Sequence, residues 1–170
     1  MRKMVILSQR GAQRGLTRFE LAVSVAIFGV LGGIFLVVAL YYEEWGEKTE
    51  VELTVLNIRA GIRYQIADRM IHGNVNELAT MNAGNPVKWL AQPPAGYIGE
   101  LRAAAPDSVA KGRWYFDVEQ RELRYRPRLR SHLSPDISLL RWKVVAIHAP
   151  GRPQSIEGLT LVNVEPYRWF

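Results

Sequence analysis

The chain contains no cysteine, which removes disulfides, thiolate metal sites and thiol nucleophiles together. It has no acidic residue before Glu20, and no charged residue of either sign at positions 21–42. Its three histidines, His72, His132 and His148, stand far apart and lack the spacing of metal ligands. Asp107, Asp117 and Asp136 do not gather as they would in a calcium loop. No glycine-rich phosphate loop follows a strand pattern, and no serine–histidine–aspartate arrangement is legible. These gaps remove the common routes to catalysis. The chain reads as a non-enzyme with no cofactor and no metal.

What is present begins with a short basic segment. Residues 1–15 carry Arg2, Lys3, Arg10 and Arg14 and end in Gly15. Leu16, Thr17, Arg18, Phe19 and Glu20 follow, and then 22 uncharged, mainly apolar residues at 21–42. A bilayer-spanning helix needs about 20 such residues. A carboxylate at the edge of that run costs on the order of a few kcal/mol unless it finds a partner, so Glu20 calls for an explanation. Positive charges precede the run, whereas Glu43, Glu44 and Glu47 follow it. By the positive-inside rule the N-terminal segment faces the cytoplasm and the remainder lies across the membrane. Removing the four leading positives from a net charge of +6 leaves about +2. The basic balance therefore argues little for a nucleic-acid partner.

Beyond the apolar run the helical period continues. Val51, Val55, Ile58, Ile62, Ile66 and Met70 recur at steps of three and four, the pattern of one helix face. Gly73 and Asn74 mark its end. Residues 74–112 are rich in proline, alanine and glycine and read as a packed loop carrying Trp89, Leu90, Tyr97 and Ile98. From Arg113 the period becomes two. Trp114, Phe116 and Val118 alternate with Arg113, Tyr115 and Asp117, and residues 118–121 connect to a second strand carrying Leu123 and Tyr125. Leu140, Trp142, Val144 and Ala146 form a third strand, ended by Pro150-Gly151-Arg152-Pro153, and residues 159–164 form a fourth. An apolar sheet face needs a cover, and the helix stripe supplies it. The expected fold is α+β: one long N-terminal helix on an antiparallel meander of about four strands.

The segment Arg14-Gly15-Leu16-Thr17-Arg18-Phe19-Glu20, leading into the apolar run, resembles the class III leader of type IV pilins and type II secretion pseudopilins. The resemblance implies cleavage after Gly15 by a prepilin peptidase and N-methylation of Leu16. It implies that Glu20 meets the N-terminal amine of a neighbouring subunit in a filament. Such a pair would act as a registry device, since a wrong register leaves two buried charges unpaired. The implied partners are the prepilin peptidase, other pilin or pseudopilin subunits and an inner-membrane assembly platform. The implied place is the bacterial inner membrane, with a single pass, a cytoplasmic leader, a periplasmic head and later incorporation into a periplasmic or extracellular filament. Gly29 and Gly33, four residues apart, have the spacing of a close helix–helix contact. The resemblance divides the chain into a leader (1–15), an assembly helix (16–42), its amphipathic continuation (43–73), a connecting loop (74–112) and a β head (113–170).

The chain departs from the family pattern at Leu16, where phenylalanine is usual, at Arg18-Phe19, and at Val37, where many relatives carry proline. Cysteine-free sequence leans toward the pseudopilin branch. The pattern from Asn85-Pro86-Val87 through Trp89-Leu90 and Pro93-Pro94 to Tyr97 also resembles a segment of cysteine-free pilin-like proteins near mannose-sensitive haemagglutinin pilus systems. Three other readings remain open. The N-terminus could be a secretory signal cut after Val37-Val38-Ala39, or a plain anchor with Glu20 at the interface. Arg121, Arg124, Arg126, Arg128 and Arg130 form a basic strip, read as a solvated strand face, with a minor pilin binding DNA or a surface ligand as the alternative.

Overall fold

In the computed structural model, described over residues 17–102, 104–134, 137–149 and 151–170, the chain divides into two units, Met1–Tyr41 and Tyr42–Phe170. Helix α1 spans Arg18–Ile71 and contributes to both. It starts with a reciprocal cap. The Glu20 amide donates to Thr17 Oγ1 at 3.2 Å, and the Thr17 amide donates to Glu20 Oε2 at 2.8 Å. Each side chain satisfies an amide that the first helical turn leaves without a partner. At the other end the Asn74 amide bonds the Arg69 carbonyl and the Gly73 amide bonds that of Met70. Gly73 at φ 74° makes this closing turn possible without strain.

In the second unit, α1 packs on a five-stranded sheet: β1 (Tyr97–Leu101), β2 (Arg113–Asp117), β3 (Glu122–Arg126), β4 (Leu140–Ala149) and β5 (Arg152–Asn163). The strands lie side by side in chain order. β1 runs parallel to β2, and the other three pairings are antiparallel. The sheet is thus mixed and not a four-stranded antiparallel meander. The additional strand lies inside the stretch read as loop. Only five residues long, it has a break in register around Gly99, whose φ is 102°. A glycine there breaks the period-two pattern that identifies a strand. β5 also begins earlier than position 159, because Gly151 at φ 75° turns the chain at once and Pro153 falls within the strand.

Val51, Val55, Ile58 and Ile62 of α1 are buried against Trp114, Phe116, Leu123, Trp142, Val144, Leu159 and Leu161. The Trp114 ring centroid lies 4.7 Å from that of Tyr125 and 5.2 Å from that of Trp142. Ile66 joins this core in part, whereas Met70 is exposed. The opposite face of β2 is covered as well. Tyr115 is fully buried with Val109 and Leu139, and Asp117 is buried beside Arg124 at 2.7 Å. The Asp117 carboxylate also accepts the amides of Glu119 and Gln120, which shapes the β2–β3 turn.

Candidate functional site

Gly15 and Leu16 lie outside the described residues. Glu20 is exposed and its carboxylate is engaged by Thr17, whose hydroxyl donates to Oε2 at 3.0 Å. This local partner was legible in the sequence as threonine followed three residues later by glutamate, the spacing of a capping box. The apolar run is exposed on every side: Phe19, Phe28, Phe35 and Val37 are each more than two-thirds accessible. A helix apolar all round requires a surrounding that is itself apolar, and α1 is long and apolar enough to cross a membrane. A Cβ placed at Gly29 or Gly33 would meet no atom within 4 Å. Space for a close neighbour is present at both.

The head-packing residues behave differently. Val51, Val55, Ile58 and Ile62 all face the sheet, and Ile66 partly so. Two residues of the same face carry charge. Glu47 and Glu44, one and two steps before Val51, are each only 2% exposed. Glu44 Oε1 accepts the His132 amide at 2.9 Å and the Trp169 indole N–H at 3.0 Å. Its Oε2 lies 3.0 Å from His132 Nδ1. A carboxylate only accepts, so the proton of a neutral His132 ring sits on Nδ1. Glu47 Oε1 accepts the Tyr125 hydroxyl at 2.7 Å and the Arg128 amide at 2.6 Å, and Oε2 accepts the Leu129 amide at 3.0 Å.

These two carboxylates fasten the first head turns of α1 to the segment following β3 and to Trp169. Burial by itself pushes the Glu44 carboxyl up; the His132 and Trp169 donors, with the His132 charge, outweigh it and hold it below the usual carboxylate range. Burial, and then the bond to Glu47, pushes the Tyr125 hydroxyl far above the usual tyrosine range. In sequence these acids resemble charges that merely mark the end of a membrane segment. The signal that distinguishes them is their spacing: 44, 47, 51, 55, 58 and 62 form one stripe.

The arginine strip is solvated only in part: Arg121, Arg128 and Arg130 are exposed, whereas Arg124 and Arg126 are half-buried. Arg124 pairs with Asp117 and Glu122, Arg126 with Asp107 and the Val109 carbonyl, and Arg128 with Glu47 and Glu50. Three of its five charges are thus answered by acids within the head. Among the described residues, no three histidine, aspartate or glutamate side chains gather as metal ligands would.

Compared with family models, curated proteins and solved structures, the chain matches none of them.

Proposed function

We propose that this chain is a structural, pilin-like subunit of a type II secretion pseudopilus or a related type IV pilus. Prepilin peptidase removes residues 1–15 and leaves Leu16 as the new terminus. The subunit waits in the inner membrane, and an assembly platform draws it into a filament with other pilin-like subunits. The observation that carries the reading is the two-part character of α1. One helix bears an uncharged, wholly exposed apolar part and then a stripe buried by the head. A monomer in water cannot satisfy the first part; a bilayer, and afterwards neighbouring helices, would.

Within this reading Glu20 is the register-setting acid, and Gly29 and Gly33 permit close helix contacts. The test is the mature N-terminus after co-expression with a prepilin peptidase. Mass spectrometry should find methylated Leu16, and substitutions of Gly15 larger than alanine should block the cut. An intact chain, or one cut after Ala39, would remove the proposal.

A second reading has one observation in its favour. The Thr17–Glu20 cap gives Glu20 a local role, as expected of a single-pass anchor bearing a periplasmic binding domain. Processing at Gly15 decides between them.

A further inference from the structure

A cleft of about 290 Å³ opens on the head where Ala95, Gly96 and residues 111–113 meet Arg128. Its floor depends on two glycines. Gly96 and Gly112 have φ of 75° and 74°, in the left-handed region that favours glycine. A Cβ at Gly96 would lie 2.9 Å from the Gly112 carbonyl oxygen, and one at Gly112 would lie 2.9 Å from Arg128 Cγ. Side chains at these positions would therefore crowd the space. Trp114 and Tyr125 supply the inner wall.

The charges around the cleft are unequal. Arg128 is answered by Glu50 at 3.6 Å and by Glu47 at 3.8 Å. Lys111 and Arg113 line the same cleft and are exposed; its one acid, Glu50, pairs with Arg128, and neither Lys111 nor Arg113 forms an ion pair among the described residues. The two arginines of β3 are neutralised: Arg124 by Asp117 and Glu122, Arg126 by Asp107. Two positive charges without an ion-pair partner thus line one concave site, whose glycine floor leaves room for the Arg113 and Arg128 side chains to lie across it. An arginine fork beside a lysine suits a tetrahedral oxyanion. A phosphate monoester carries about −1.5 to −2 charges at neutral pH, which matches the two cations.

We propose that this cleft binds a phosphate monoester group through Lys111 and Arg113, with Arg128 held as its fixed side wall. The inference is independent of filament assembly. The group could be carried by a soluble molecule or by a phosphatidic-acid headgroup.

The test uses the full chain labelled with nitrogen-15 in uncharged detergent micelles. Inorganic phosphate is titrated at constant ionic strength while the Gly96 and Gly112 amide resonances are followed. Saturable shifts are expected, with affinity lowered about tenfold or more in Lys111→Gln/Arg113→Gln, since each lost charge-assisted bond is worth that much. Both side chains are exposed, so the variant keeps its fold, which its remaining amide spectrum verifies. A second arm places the protein in phosphatidylcholine nanodiscs with or without phosphatidic acid. Variant-sensitive shifts there as well name a lipid as the source; shifts with soluble phosphate alone name a soluble ligand. Linear, non-saturating shifts with phosphate, or saturation equal in the variant, overturn the assignment.

Discussion

The Glu44 carboxylate and the Trp169 indole lie 125 residues apart in sequence and 3.0 Å apart in the fold. That one bond ties the start of the head to its last turn. Because Glu44 also holds the His132 amide and ring, the same side chain braces two segments that the Leu133–Trp169 bridge and the Phe170 amide bond to the His132 carbonyl already join. A buried carboxylate is tolerable only when donors surround it, and here three do.

Glu44→Gln should lower the melting temperature of the full chain in micelles at pH 7. Donors left with weaker or missing acceptors cost roughly 1–3 kcal/mol. The effect should depend on pH. Glu44 has a folded pKa below its unfolded value, so its contribution is complete above the ordinary carboxylate range, near about 4.3, and is lost as pH falls through the folded pKa. The gap between wild type and Glu44→Gln should therefore narrow toward pH 3. A gap that stays constant from pH 7 to pH 3 would contradict this.

Tyr125→Phe and Glu47→Ala should be unequal and coupled. The first removes one donor and should cost about 1 kcal/mol. The second strands the Tyr125 hydroxyl and two backbone amides and should cost roughly 3 kcal/mol or more. In a double-mutant cycle by denaturant unfolding, the pair should lose less than the sum of the two. Additive losses would mean that the Tyr125–Glu47 bond contributes nothing.

Ile62→Asp should abolish cooperative unfolding of the head, because Ile62 is 1% exposed in the main core and an unpaired charge there is not tolerated. Leu53→Asp, on the same helix but 56% exposed, should melt within about 0.5 kcal/mol of wild type. Near-uniform behaviour of the two variants by near-ultraviolet circular dichroism would place the stripe on the wrong face.

Thr17→Ala and Glu20→Ala separate capping from assembly. Thr17→Ala removes the hydroxyl cap, a loss of about 1 kcal/mol at the helix start, and keeps the carboxylate. It should enter sheared filaments normally. Glu20→Ala removes both the cap and the proposed partner of a neighbour's amine. It should reach the membrane at wild-type levels and fail to enter filaments. Equal incorporation defects in the two variants would assign the whole role of Glu20 to the cap.

Much of this architecture is legible in the residues, for a physical reason. The stripe from Val51 to Ile62 and the alternation along β2 and β3 are local periodicities imposed by burial. β1 escapes because Gly99 and the surrounding prolines erase the period. The covering of Tyr115 and Asp117 escapes because alternation reports two different faces and not whether the second one is wet. Glu44 and Glu47 escape for another reason: three of their six hydrogen bonds come from donors that no motif advertises, the amides of Arg128, Leu129 and His132. The capping pair Thr17–Glu20 was visible, but a membrane-edge acid invites a long-range explanation before a local one.

The placement of Glu44 and Glu47 also decides how the head would bear load. Tension applied to α1 from its N-terminal side meets these two side chains before Val51 or any other buried position of the stripe. Hydrogen bonds to a carboxylate are short and directional, whereas apolar contacts yield by sliding. The head would hold stiffly up to the point where the Glu44 and Glu47 bonds rupture, and would then peel from that end of the helix.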